Sequence, residues 1–398
     1  MKLKISKLIL YLMFLFPIST VISDITIFGS IVNKIIFGFI VMSLIYGIFK
    51  TKLTKENVLL LVLLVGVYIY DSIVTTWPLY NLNEFFYIGT WVLFMIYMAS
   101  NYELFKKELI NSVQPMKWMI FTWETVVAVS FVFSSSYPEG YFLSFAGSTH
   151  RMDSSAMMIL ATILILYRYT KYRKRVLFLL IVPSIAIVLS GARTYIVLLC
   201  LVLSIFYYYA NIKHTWRFYL TIIPITILGV AVIFSTSAMQ QRIDIMREQT
   251  EYFDSLGYNA LTTVTSGRSE FWIIDLIQYW KSPIINRIMG NGFNFVRYVN
   301  SIYYMAAIWA HNDFINILCC NGIVGLYLYF KVYFDLAKKE KRKLMGNNKK
   351  AVLLLLIFHL ISMFNAMFNM LYSYFAATLA VPVFLFAIMD KEILPDRK

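Results

Sequence analysis

His311, Asn312 and Asp313 stand in a row where a polar stretch gives way to the apolar run 312–330. A histidine titrates near neutrality and can take a proton from a hydroxyl group. His311 is therefore a candidate general base, although taken alone it also reads as a polar anchor at the edge of an apolar segment. His150 falls in a polar segment, His214 between two apolar runs and His359 inside one. Three arginines could hold an anion. Arg193 sits in Ser190-Gly191-Ala192-Arg193-Thr194, a break between two apolar runs with almost no loop. An ionisable group at the edge of hydrocarbon is a functional candidate by default, and the planar guanidinium fork suits phosphate oxygens. Snorkelling toward lipid headgroups is the competing reading. Arg268 follows Ser266-Gly267 and would open a helix, whose N-terminus favours anions. Arg287 precedes the turn Gly290-Asn291-Gly292 and is the third candidate. Arg242 and Arg247 read as surface charge. Gly322 and Gly325 follow His311 on the same apolar run, and there glycine lets backbones approach closely. Glu124 and Asp71 are ionisable groups inside apolar runs and could mark a pathway. The chain has no HExxH, P-loop, CxxC or DxD pattern, so nothing in it implies a metal, a nucleotide or another cofactor.

The elements that must carry these residues are set by composition. Of the 398 residues, 60% are hydrophobic and only 14% charged, with a mean hydropathy of +0.69. One soluble core cannot hide that much apolar surface. An ordinary cytosolic enzyme, a disordered chain and a disulfide scaffold are all excluded. An aromatic share of 17% suits interfacial belts. Cys200, Cys319 and Cys320 all lie inside apolar runs and act as small hydrophobes. Runs long enough to span a bilayer occur at 8–24, 31–49, 57–77, 85–100, 116–134, 154–168, 176–190, 194–210, 218–236, 312–330, 351–370 and 373–390. The expected fold is thus all-α and polytopic, with about twelve transmembrane helices. The first run reads as a signal anchor, because another span follows at once.

The net charge of +15 does not call for nucleic acid, since excess Lys and Arg on cytoplasmic loops explains it. Placing the N-terminus inside puts 27 of the 36 basic residues on the cytoplasmic side, which predicts both termini inside. Eight of the nine left outside fall between Arg151 and Arg297. The domain reading is residues 1–236 as nine transmembrane helices, 237–310 as a large helical extracytoplasmic loop, and 311–398 as three more spans with a cytoplasmic tail. That loop carries Phe271, Trp272, Tyr279, Trp280, Tyr303, Tyr304 and Trp309. Such a mix could lie along the membrane surface or cover a cavity.

In order, these residues resemble the O-antigen ligase and polysaccharide polymerase superfamily. Ser190-Gly191-Ala192-Arg193 is similar to the family's Ser-Gly-Ser-Arg at a span boundary, and Gly267-Arg268 through Trp272 opens the helical part of the outer loop. Gly290-Asn291-Gly292-Phe293 resembles the family's Gly-x-Gly turn. His311-Asn312 followed by Gly322 and Gly325 resembles its His-Asn…Gly-x-x-Gly pattern. The resemblance covers about 190–325, and it departs at Val197, where ligases often have Leu. It implies a multi-pass protein of the bacterial plasma membrane that transfers glycan on the outer face, without metal and with inversion. The donor would be an oligosaccharide on undecaprenyl diphosphate. The acceptor would be a hydroxyl of another lipid-linked glycan for a polymerase, or of lipid A core or protein for a ligase. His311 would be the base, with Arg193, Arg268 and Arg287 on the diphosphate and Gly191, Asn312, Gly322 and Gly325 in support. Asp24 is a further carboxylate to weigh, because some membrane glycosyltransferases keep a catalytic one in the first outer loop. Membrane lipids, and a flippase and chain-length regulator of the same pathway, are the expected partners. The alternative of another class is a flippase or transporter for lipid-linked oligosaccharides. Transporters often show two related halves, and none are visible here.

Overall fold

The structure is a computed structural model. It describes residues 5–25, 27–75, 82–133, 135–136, 143–144, 149–169, 173–190, 268–305 and 307–344, with position 248 and short pieces between 195 and 203 and between 359 and 383. The described chain is helical: α1 Ile5–Ile25, α2 Ile27–Phe49, α3 Lys55–Val74, α4 Leu82–Ser100, α5 Tyr102–Asn111, α6 Val113–Phe133, α7 Thr149–Tyr169, α8 Arg173–Phe178, α9 Ile181–Ser190, α10 Arg268–Lys281, α11 Ile284–Met289, α12 Phe295–Tyr304 and α13 Asp313–Leu344. Between α6 and α7 the two-residue strands β1 Ser135–Ser136 and β2 Leu143–Ser144 pair antiparallel.

Among the described residues, four helices are long and apolar enough to cross a membrane: Ile5–Ser23, Ser30–Phe49, Lys55–Val74 and Asp313–Lys339. α3 shows why such a helix belongs in lipid. Thr54 caps it, its hydroxyl accepting from the Asn57 amide at 3.2 Å, and Glu56 sits in the first turn, where negative charge is favoured. Leu60, Leu64, Val67 and Asp71 form its buried stripe. The opposite face is also apolar, with Val58, Val62, Val65, Ile69 and Ile73 all exposed. Apolar faces all round are the pattern of a helix with no water beside it. α7 lies deeper and is buried from Asp153 to Tyr167, packed against α1, α6 and α9.

Several sequence expectations change. The stretch after α4, outside the expected spans, is the amphipathic helix α5, which buries Tyr102, Phe105 and Leu109 on one face. The span 176–190 is interrupted by a turn at 179–180, so it divides into α8 and α9. The span 312–330 is broken at Gly322, where the chain folds back so that the Phe314 ring meets that of Phe330 at 5.1 Å, and the second part runs on to Leu344. The spans at 218–236 and almost all of 373–390 lie outside the described residues, and those at 194–210 and 351–370 are described only in pieces.

α3 and the part of α13 after Gly322 run antiparallel, with Asp71 beside Asn321 and Glu56 beside Lys331, which gives this part of the molecule two distinct ends. At one end the Lys331 ammonium bridges Glu56 and Asp335 at 2.5 Å each, Lys339 donates to the Ala99 carbonyl, and the Asn57 amide donates to Ser100 at 3.1 Å. Lys50, Lys52, Lys55, Lys338 and the lysines of α5 belong to this end by their place in the chain. Between the ends, Trp91 of α4 stacks on Tyr329 and Tyr333 of α13, with ring centroids 4.9 and 6.0 Å apart. The other end holds the Gly290-Asn291-Gly292 turn, beside Asp71 and Thr75.

Candidate active site

His311 stands on a strap, residues 305–312, between α12 and α13. The strap is pinned one carbonyl at a time. Arg297 Nε donates to the Ala307 carbonyl at 3.0 Å, Asn300 Nδ2 to Ile308 at 3.1 Å, and the Trp272 indole to Ala310 at 2.6 Å. Arg297 also lies over the Trp309 ring at 5.8 Å, and that ring meets Tyr87 of α4 edge-on at 6.0 Å. The strap therefore takes its shape from α10, α12 and α4 together. It begins and ends in left-handed backbone, with φ 52 at Met305 and φ 51 at His311. Non-glycine residues rarely adopt that conformation, and histidine is among those that tolerate it best. Asn312 then caps α13, its Oδ1 accepting from the amides of Phe314 and Ile315 at 3.0 and 3.1 Å. Asn312 is therefore a helix cap that fixes the residue before it, and Asp313 is fully buried in the first turn.

Arg268 opens α10, as the sequence predicts. Trp272 lies one turn further on, so the two share a helix face. The Trp272 indole holds the carbonyl next to His311, so Arg268 lies one helical turn from the residue that pins the strap. Arg287 is placed elsewhere. Its carbonyl accepts from the Tyr279 hydroxyl at 2.8 Å, and Tyr279 is eleven residues, or about 16 Å, down α10 from Arg268. The Arg287 guanidinium lies over the Trp280 ring at 5.7 Å. Arg193 and Gly191 lie outside the described residues, and so do Arg242, Arg247 and the Asp24 side chain.

The glycines have a mechanical role. α13 is broken at Gly322, whose backbone (φ 71, ψ −172) is open essentially to glycine alone. The break frees helix carbonyls, and the Gly290-Asn291-Gly292 turn fills in for the missing donors. The Asn291 and Gly292 amides reach the Cys319 and Cys320 carbonyls at 3.3 and 3.1 Å, and Asn291 Nδ2 adds a bond to Cys319 at 3.0 Å. The fit is close enough to exclude side chains. A Cβ on Gly322 would lie 2.4 Å from the Ile288 carbonyl oxygen, and one on Gly290 would lie 2.3 Å from both Asp71 Oδ1 and the Cys320 carbonyl oxygen. The expected packing of one helix on another is thus, at Gly322, the seating of a turn in a helix break. Asp71 locks it from α3. Its Oδ2 accepts from Asn321 Nδ2 at 2.7 Å, while Thr75 accepts from the Phe293 amide at 3.2 Å and Tyr70 donates to Asn286 at 2.8 Å. Asp71, read from sequence as a pathway candidate, serves here as a clasp.

Sequence reasoning did not single out Asn300, Asn321, Thr75 or Asp275. The polar–apolar alternation of α10 carries the signal for Asp275, because it falls on the face of Trp272 and Tyr279. It is fully buried, and the Cys319 thiol approaches its carbonyl at 3.7 Å. Desolvation pushes its carboxyl from the ordinary 3.8 up to about 8, with the neighbouring Asn300 offsetting part of the rise. Folding therefore favours the proton. This contribution to stability is complete below pH 4 and is lost as pH rises toward 8. Asp275→Asn stays neutral throughout, so its thermal midpoint should gain on the wild type as pH rises from 5 to 8. A constant difference across that range would show that Asp275 ionises freely in the folded protein.

The described chain is that of a helical membrane protein with a histidine on a pinned strap, an arginine at the start of α10 and a braced glycine turn. Residues 177–330 match a protein-family model described as O-antigen ligase. The match covers less than half of the chain but includes every motif from Arg193 to Gly325, and it supports the resemblance to that superfamily and hence glycan transfer at a membrane. No curated protein matches the chain.

Proposed function

We propose that this protein polymerises lipid-linked oligosaccharide repeat units on the outer face of the bacterial plasma membrane. The observation that supports it is His311 on a strap pinned by Trp272, one helical turn from Arg268, inside the segment similar to O-antigen ligases. The donor is an oligosaccharide on undecaprenyl diphosphate. The acceptor hydroxyl of a second lipid-linked glycan attacks the anomeric carbon, and His311 takes its proton. The bond from that carbon to the diphosphate oxygen breaks on the opposite face, inverting the centre. The leaving diphosphate gains negative charge, which Arg193 and Arg268 are there to receive. Arg287, held at Tyr279 about 16 Å along α10 from Arg268, instead meets lipid headgroups or the distal part of the substrate. A ligase differs only in its acceptor. On this reading both termini and the lysine-rich end are cytoplasmic.

Bidentate contact with phosphate oxygens predicts that Arg193→Lys and Arg268→Lys are more harmful than charge conservation alone allows. The measurement is polymer length on a gel, from a deletion strain complemented with each variant at wild-type protein level. Loss of long polymer supports the diphosphate role; a wild-type ladder removes the arginine from the site. Unchanged length with loss of transfer onto the terminal acceptor would favour the ligase reading.

A further inference from the structure

α10 is inverted relative to a helix in water. Its buried face carries Ser269, Trp272, Asp275 and Tyr279. Its exposed face carries Ile273 at 51%, Ile277 at 42% and Trp280 at 61%, and α11 continues it with Ile284 at 69%, Ile285 at 50% and Ile288 at 41%. A water-facing helix turns its polar stripe outward. We infer that the exposed face of α10 and α11 is sunk in the outer leaflet, in contact with lipid acyl chains, so that the site opens at the membrane surface and not above it.

Three observations choose lipid as the occupant over water or protein. The first is depth. The α11 turn is bonded to α13 at Cys319 and Cys320, and Gly290 packs against Asn321. α3 spans from Lys55 to Val74, and α11 with its turn packs on it at Asp71, Tyr70 and Gly66, three to eight residues, or about 5–12 Å, inside the Val74 end. The second is continuity. The residues of α3 and α13 beside this turn are exposed and apolar too: Ile69, Ile73, Ile323 and Tyr327. The third is the rim. Arg287 over Trp280, with Lys281 exposed at the end of α10, is the pairing of cation and indole that anchors proteins at a lipid interface. The loop, read from sequence as lying along the membrane surface or covering a cavity, is thereby partly a membrane element. This inference needs only that the spans lie in a bilayer, and it leaves open which glycan is transferred.

The test uses the full-length protein in lipid nanodiscs with Cys200, the exposed cysteine, replaced by alanine; Cys319 and Cys320 are buried. Nitroxide spin labels are placed one at a time at Ile277, Ile284 and Ile288, with Gln278 as the off-face control. Only variants that elute as the wild type are measured, and the three sites guard against loss of any one. Collisional broadening by oxygen, which partitions into lipid, is compared with that by a water-soluble nickel chelate. The expected result is high oxygen and low nickel accessibility at the three isoleucine sites, with more nickel contact at Gln278. High nickel accessibility at the isoleucines would put the face in water and overturn the inference. Low accessibility to both would show that protein covers it, which overturns the inference equally. Neither readout depends on glycan transfer.

Discussion

His311→Asn should leave a folded, membrane-inserted protein that transfers glycan about 10²–10⁴-fold more slowly, the usual contribution of a general base. Asparagine is the informative replacement because His311 sits at φ 51. Asparagine tolerates left-handed backbone, whereas alanine would add strain there and confuse lost chemistry with lost structure. The pinned carbonyls of Ala307, Ile308 and Ala310 involve no atom of the His311 side chain, so the strap should survive. The measurement pairs the transfer rate of the purified variant with its thermal midpoint. A wild-type rate at a wild-type midpoint would remove His311 as the base and move attention to Asp24 or Asp313.

Gly322→Ala should be among the most damaging substitutions for folding. The new methyl group would lie 2.4 Å from the Ile288 carbonyl oxygen and 2.6 Å from the Gly290 amide nitrogen, both backbone atoms of a turn that cannot withdraw. The backbone angles add a second penalty, since that region is nearly closed to any residue with a Cβ. Strain and overpacking together amount to about 3 kcal/mol or more. Little protein should survive solubilisation as a single species. Gly38 of α2 supplies the contrast, because a Cβ there meets nothing within 4 Å. Gly38→Ala should be neutral or gain up to about 1 kcal/mol from helix propensity. Equal behaviour of the two variants would mean that the break in α13 can be healed.

The all-helical membrane class was legible from composition and run length, and the order of motifs from Arg193 to Gly325 was legible from spacing. The roles inside those motifs were harder to see. Asn312 reads beside His311 as a catalytic neighbour, yet its side chain is spent on the amides of Phe314 and Ile315. Gly322 reads as helix packing, and only the three-dimensional return of residues 288–292 shows what it must admit. Asp71 could not be placed, because its partner Asn321 is 250 residues away and no local period links them. α10 stayed open for a related reason. Its mixed sequence fits a membrane surface or a cavity cover, and which stripe faces outward depends on where α12 and α13 pack.

The most direct test of the proposed chemistry uses the purified full-length protein in nanodiscs with a single undecaprenyl-diphosphate-linked repeat unit, in chelator and without nucleotide. The account predicts lipid-linked dimers and longer products, with one undecaprenyl diphosphate released per bond formed, and the new glycosidic bond of opposite anomeric configuration to the donor by NMR. Transfer that begins only when a divalent cation is added, or a product that retains the donor's configuration, would contradict it.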